Sequence, residues 1–371
     1  MKILFTRFPL ESALGGAELQ TIALMEELTR RGHAVVFAGS CPTLLALCRE
    51  KKIPAAEWHI GPPPVTKWSV LSLSWRRFGM RKKLRALLEQ FADVDVLCML
   101  SLSEKLLLTE AATKRGKRVY WIEHDTVGRW LTKNPWLSLL KKQSKAAVTI
   151  TVSELSRKLY CDLGWDPGKV IAIPNGVDAT RLGSPLLRER QQRTDPLRLG
   201  CIARLSPEKG VDLLIRALLQ LPPAVTLEIV GEGKAEKSLH ALVAALHLEK
   251  RIVFSSPQRN VRQFYERFDA VILPSREHDP FGLAVAEAMT LGLPTIVTTA
   301  CGVASSLLPG SDALIVKVDS VSALTEAIQE LLDPATYLRL VQNGKATARE
   351  KFSFSSMATL YEAVFTGSPR S

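Results

Sequence analysis

Residues 273–299 read LPSREHDPFGLAVAEAMTLGLPTIVTT, and this stretch decides the fold. The apolar run Ala270–Leu273 just before it has the length and composition of a buried parallel strand. A polar loop follows over 274–280. Phe281 and Gly282 then open a helix that runs to about Leu291. Gly292 and Pro294 end it, and residues 294–298 begin another buried strand. Acidic side chains therefore sit in a loop at the carboxyl end of a strand, with one more on the helix behind it. Open α/β sheets bind their ligands at that edge.

Asp279 and Glu287 are separated by seven residues. The stretch resembles the motif of the retaining glycosyltransferases of family 4, which carry two glutamates at this spacing around a Phe-Gly pair. Pro274-Ser275, Phe281-Gly282, Glu287-Ala288-Met289, Gly292 and Pro294 carry the resemblance. The first acid departs from the pattern, being Asp279 where the family usually has glutamate. Glu277, two residues upstream, is the alternative.

The resemblance implies donor-binding roles that the chemistry of these residue types supports. A carboxylate has two acceptor oxygens and can take both hydroxyls of a ribose diol, which is the role assigned to Glu287. The earlier acid, Asp279 or Glu277, lies nearer the donor sugar. The helix start at Phe281-Gly282 offers free N–H groups to donor oxygens. For an isolated acid pair the plainer reading is a solvated helix acid and a charge favoured by the helix dipole. Placement at the sheet edge, together with the motifs below, favours the site.

Gly15-Gly16-Ala17-Glu18 lies between a first strand and a first helix. Glycines there permit close backbone approach, and the helix start attracts an oxyanion. The segment resembles the GGAE loop of the same family and is not Gly-x-Gly-x-x-Gly, which counts against a dinucleotide oxidoreductase. Residues 203–210, ARLSPEKG, follow the first strand of the second half. They resemble the family's RLSPEKG segment, in which Arg204 and Lys209 would hold the donor diphosphate. Two fixed cations and a helix start stabilise the charge of a departing nucleoside diphosphate, which is a divalent metal's task, so no metal is expected. Val230-Gly231-Glu232-Gly233 matches the family's GEG turn and reads as a wall of the site. Residues 254–259 follow a strand at the same edge, where they would reach the base. His124 ends a strand and corresponds to a family histidine near the donor sugar, while Asp125 reads as a helix cap. His33 reads as structural, and the remaining histidines lack metal-ligand spacing.

The formal net charge of +12 is unevenly placed. Residues 1–175 hold 27 Lys+Arg against 16 Asp+Glu, whereas residues 176–371 hold 22 against 21. Such asymmetry points to an anionic partner on the first half. No nucleic-acid motif accompanies it, which leaves a membrane surface or an anionic acceptor. No apolar stretch is long enough to span a bilayer, and the start lacks a signal-peptide pattern, so a cytoplasmic protein is expected. Six scattered cysteines form no Cys-x-x-Cys pair and read as reduced core residues.

Along the chain, strands are expected at 2–6, 34–38, 94–100, 118–122 and 147–152, with a loop at 7–16 and helices between the strands. IPNGVD at 173–178 supplies turn chemistry, and the arginine-rich residues 180–196 read as a linker or flap. A second α/β half begins at Leu197, with a helix expected over 211–221 and strands at 225–230 and 252–255. The resemblance implies the GT-B fold: two Rossmann-like domains with parallel sheets facing a cleft. Residues 1–175 would bind acceptor, joined by the C-terminal helix at about 354–371, and residues 176–353 would bind a nucleotide-sugar.

The implied function is retaining, metal-independent glycosyl transfer. The donor is a UDP- or GDP-sugar as substrate, no cofactor is needed, and the acceptor is a glycan or lipid-linked molecule of cell-envelope or lipopolysaccharide synthesis. A non-catalytic nucleotide-sugar binder and a Rossmann oxidoreductase are the alternatives. Residues 67–85, KWSVLSLSWRRFGMRKKLR, place Trp68, Leu71, Trp75 and Phe78 at i, i+3, i+7 and i+10 among many cations. Two readings stay open there. The stripe packs on its own sheet, or it docks the chain peripherally on the anionic inner leaflet.

Overall fold

The computed structural model describes residues 1–10, 15–186, 192, 194–258 and 260–367. The expected loop at 7–16 and linker at 180–196 fall partly outside these residues, and Arg259 falls wholly outside them. The chain divides into two compact units, Met1–Ile173 with Met357–Ser371, and Pro174–Ser356.

The first unit holds a seven-stranded sheet: β1 (Lys2–Arg7), β2 (Ala34–Gly39), β3 (Ala55–Glu57), β4 (Val96–Met99), β5 (Arg118–Glu123), β6 (Val148–Thr151) and β7 (Val170–Ala172). Its order is β3-β2-β1-β4-β5-β6-β7, and every neighbouring pair is parallel. The second unit holds β8 (Leu197–Ile202), β9 (Val225–Val230), β10 (Ile252–Ser255), β11 (Ala270–Leu273), β12 (Thr295–Thr298) and β13 (Leu314–Val316) in the order β10-β9-β8-β11-β12-β13, again parallel throughout. Helices on the faces bury these strands, and all residues of β11 and β12 are buried, as their unbroken apolar character requires.

The helices that bear on function are α1 (Gly16–Arg30), α2 (Lys67–Gln90), α3 (Leu102–Leu107), α4 (Ala179–Leu182), α5 (Val211–Ala217), α6 (Leu283–Thr290), α7 (Pro334–Lys351) and α8 (Phe354–Thr366). The helix expected to run from Val211 to Leu221 stops at Ala217 and tightens into a 3-10 turn, Leu218–Gln220, before Pro222-Pro223. The short strand β3 has no counterpart among the expected elements, and α2 runs five residues beyond the helical stripe read over 67–85.

α8 carries the chain back onto the first unit. Tyr361 and Phe365 are buried there, and the Phe365 ring lies 4.7 Å from that of Tyr120. Tyr120 donates its hydroxyl to Val364 O at 3.0 Å, and Glu362 joins Arg31 and His33. His33 is structural here, as its place in a helix-to-strand turn implies.

Candidate functional site

Strand order in the second sheet reverses between β8 and β11, so the loops leaving those strands part at a topological switch point. These loops carry the RLSPEKG segment and the first acids. They touch through their backbones: Arg276 N donates to Glu208 O at 2.8 Å. Gly210 has φ +64°, and a Cβ there would stand 2.2 Å from Pro274 O, so no larger residue fits.

Lys209 Nζ donates to Asp279 Oδ2 at 2.6 Å, and Ser275 Oγ donates to the same oxygen at 3.1 Å. The Asp279 backbone is clamped to the loop after β12 by Asp279 N to Ala300 O at 2.9 Å and Gly302 N to Asp279 O at 2.8 Å. Its Oδ1 has no hydrogen-bond partner among the described residues. The structure separates the two candidates for the first acid: Asp279 is buried beside the lysine, whereas Glu277 is exposed and its carboxylate has no partner among the described residues. Arg204 is exposed, and its guanidinium has no hydrogen-bond or ion-pair partner among the described residues. Arg276 is instead committed to Asp212 and Asp319, and both carboxylates raise its pKa.

The Phe281 ring is buried edge-on against Phe352, at 5.6 Å and 88°. Its carbonyl accepts from Val303 N at 2.7 Å and from Cys301 Sγ at 3.1 Å. The Phe281 ring is therefore core packing, and its carbonyl is already engaged within the protein. Gly282 caps α6 with φ +98°, where a Cβ would lie 2.5 Å from Cys301 Sγ. The amides of Gly282, Leu283 and Ala284 have no hydrogen-bond partner among the described residues, so the helix start presents three donors.

Glu287, on α6, is held from two sides. Arg181 of α4 ion-pairs with Oε1 at 2.5 Å, and Tyr265 donates its hydroxyl to Oε2 at 2.7 Å. Burial raises the carboxyl's pKa, against the pull of Arg181 and Tyr265. Each oxygen keeps a further lone pair. Arg181 and Tyr265 escape a reading of the sequence, since they stand 106 and 22 positions from Glu287 and belong to no motif. The GEG turn is bound to the loop after β8: Leu205 N donates to Glu232 O at 2.9 Å, and Ala203 N to Val230 O at 3.1 Å. At the end of β10, Phe254 packs on His240 at 3.9 Å, while Ser255, Ser256 and Gln258 share an open cavity of about 700 Å³ with Arg198, Thr226 and Lys250 near the amino ends of the strands, so the cavity is not confined to the carboxyl edge.

Gly15, Gly16 and His124 belong to the first unit, where strand order reverses between β1 and β4. Gly15 caps α1, and Glu18 one turn in is buried against Arg7 at the end of β1. His124 follows β5. Its Nδ1 is buried with no partner among the described residues. Burial, then the Arg7 and Lys105 cations, push its pKa down to about 3, so the ring is neutral at pH 7. Behind it, Lys105 Nζ and Glu123 Oε1 form a buried ion pair at 2.9 Å, and Lys105 also donates to Ile122 O at 3.2 Å. This ion pair near His124 was likewise invisible in the sequence. Among the described residues no group of three or more His, Cys, Asp or Glu is arranged to hold a metal ion.

Residues 14–181 match Glycosyltransferase Family 4, and residues 185–347 match Glycosyl transferases group 1. The chain belongs to the group 1, family 4 glycosyltransferases and has their GT-B fold. The glycosyltransferase is 26% identical to a glycogen synthase of Mycobacterium tuberculosis over 352 residues, covering 91% of this chain and 75% of that one. It is also 26% identical to LpcC of Rhizobium leguminosarum, a lipopolysaccharide core biosynthesis mannosyltransferase, over 316 residues, 81% of this chain and 83% of that one. A crystal structure of Anabaena HepE in complex with UDP has the same fold, with a TM-score of 0.80 at 20% identity, covering 99% of this chain and 100% of that one.

Proposed function

We propose that this glycosyltransferase moves a sugar, with retention of anomeric configuration and without a metal, from a UDP- or GDP-sugar to a glycan or lipid-linked acceptor of the cell envelope. The observation that carries the reading is the Lys209–Asp279 pair at the switch point of the second sheet. It joins a cation to an acid, one oxygen of which is unpartnered among the described residues, three residues ahead of Gly282 and the start of α6. Arg204 adds a second cation with no protein partner among the described residues. UDP bound by HepE and the mannosyltransferase activity named for LpcC support a nucleotide-sugar donor and an envelope acceptor.

In this scheme Glu287 accepts the ribose hydroxyls, the amides of Gly282, Leu283 and Ala284 meet donor oxygens, and Asp279 Oδ1 accepts a sugar hydroxyl. The C1–O bond to the diphosphate breaks while the acceptor oxygen bonds C1 on the same face. The acceptor proton passes to the departing phosphate oxygen. Arg204 and Lys209 offset the charge that develops there, in place of a divalent ion. His124 is neutral and its Nδ1 has no partner among the described residues, which suits a hydrogen bond to a sugar hydroxyl. The six free thiols, five of them buried, fit a cytoplasmic protein. Replacing Arg204 or Lys209 by Ala tests the reading: kcat should fall further than donor affinity. Normal turnover in both variants would overturn it.

A further inference from the structure

Helix α2 is apolar on two faces, and only one of them is used. Ser69, Leu73, Met80, Leu84, Leu87 and Leu88 are buried against the first unit. Trp68, Leu71, Trp75 and Phe78 stand 83%, 61%, 68% and 64% exposed. Of the two readings left open for this stripe, packing on its own sheet does not fit that exposure. Its four side chains line one side of the helix over about 15 Å, at 1.5 Å per residue. Large apolar side chains grouped in this way on a surface mark an interaction site.

The charge of α2 says what covers it. The helix holds seven Lys and Arg and one acid, Glu89. Lys67, Lys82, Lys83 and Arg85 are exposed, with no partner among the described residues. Lys82 falls on the Trp68–Phe78 line, and Lys67 and Arg85 flank it on one side with Lys83 on the other, by the 100° step of an α-helix. Arg76 is not part of this set, because it folds back onto Ser72 Oγ at 2.9 Å and Ser69 O at 3.0 Å. The Thr66–Ser69 capping box fixes the tryptophan end of the helix.

We infer that α2 is a membrane-docking helix. It lies along an anionic lipid surface with Trp68, Leu71, Trp75 and Phe78 sunk to the headgroup–acyl boundary and Lys67, Lys82, Lys83 and Arg85 on lipid phosphates. Tryptophan beside cations is the composition of that boundary. A second copy of the chain fits less well, since apposed faces would bring their lysines together. A nucleic-acid strand calls for a groove, and a helix flank is convex. The inference is independent of how the sugar is transferred. It deepens the proposed function by setting the acceptor unit on the surface where a lipid-linked acceptor is presented.

The test is sedimentation of the full-length protein with phosphatidylcholine vesicles, with and without phosphatidylglycerol, in the absence of donor. The wild type should pellet with the anionic vesicles at low salt, with its tryptophan emission shifted to the blue, and should be released as salt rises. Lys82→Glu/Lys83→Glu/Arg85→Glu should weaken partitioning by at least about tenfold. Trp68→Ser/Trp75→Ser should remove it, and also the residual binding to neutral vesicles. All five side chains are exposed, so circular dichroism and Tm should match the wild type. Nucleoside diphosphate release should also be unchanged, which separates this inference from the transfer chemistry. Wild type that stays in the supernatant with anionic vesicles, or that pellets regardless of both variants, would overturn it. So would a dimer, or a complex with single-stranded DNA, that the tryptophan variant abolishes while vesicle binding persists.

Discussion

Lys209 Nζ donates to Asp279 Oδ2 across 2.6 Å, joining loops 70 positions apart in the chain. Both side chains are largely buried, at 15% and 10% exposure. The contact holds the cation proposed for the leaving diphosphate against the acid proposed for the donor sugar. It also leaves Asp279 Oδ1 without a hydrogen-bond partner among the described residues.

A buried pair that loses one member leaves the other charge uncompensated. Asp279→Ala should therefore lower folding stability by about 3–5 kcal/mol in urea unfolding. Glu277→Gln should stay within about 0.5 kcal/mol, because Glu277 is exposed and its carboxylate is unpartnered. In activity, Asp279→Asn should cripple transfer while Glu277→Gln is mild. The opposite ranking would move the first acid upstream to Glu277.

Glu287→Ala should weaken binding of the nucleoside diphosphate by about 1.5–3 kcal/mol in calorimetry, the range for hydrogen bonds to a charged group. Unchanged affinity would remove the ribose role. Burial raises this carboxyl, so the folded chain holds its proton more tightly than the unfolded chain does. That preference stabilises the fold below the ordinary glutamate range and fades as pH rises through the folded pKa. A Tm-against-pH curve for Glu287→Gln should accordingly fall less steeply over that window.

His124 carries the opposite sign. Its pKa of about 3 lies below the ordinary histidine value of about 6.5. The folded chain therefore loses stability as pH drops from about 6.5 toward 3, where the unfolded chain gains a proton that the folded one refuses. His124→Gln should flatten Tm across that range while leaving Tm at pH 8 nearly unchanged. A wild-type acid limb that matches the variant's would show that the ring is protonated in the fold.

The sequence exposed the second sheet's edge well, for a physical reason. Strands buried on both faces appear as unbroken apolar runs, and Gly292 with Pro294 punctuates the helix between two of them. Ala270–Leu273, Val225–Val230 and Ile252–Ser255 are strands over the expected residues. Arg181 and Tyr265, which hold Glu287, were hidden because a tertiary contact leaves no local period. The same limit applied to Lys105 and Glu123 behind His124. In α2 the period was plain but two apolar stripes shared it, and periodicity cannot say which stripe meets the sheet.

The central claim, metal-free retaining transfer at the second unit's switch point, is tested most directly by one measurement. A panel of UDP- and GDP-sugars with acceptor is incubated in EDTA, and the anomeric configuration of the transferred sugar is read by NMR. The account predicts that turnover survives the chelator and that the product keeps the donor's configuration. An inverted product, or turnover that stops in EDTA and returns with a divalent ion, would contradict it.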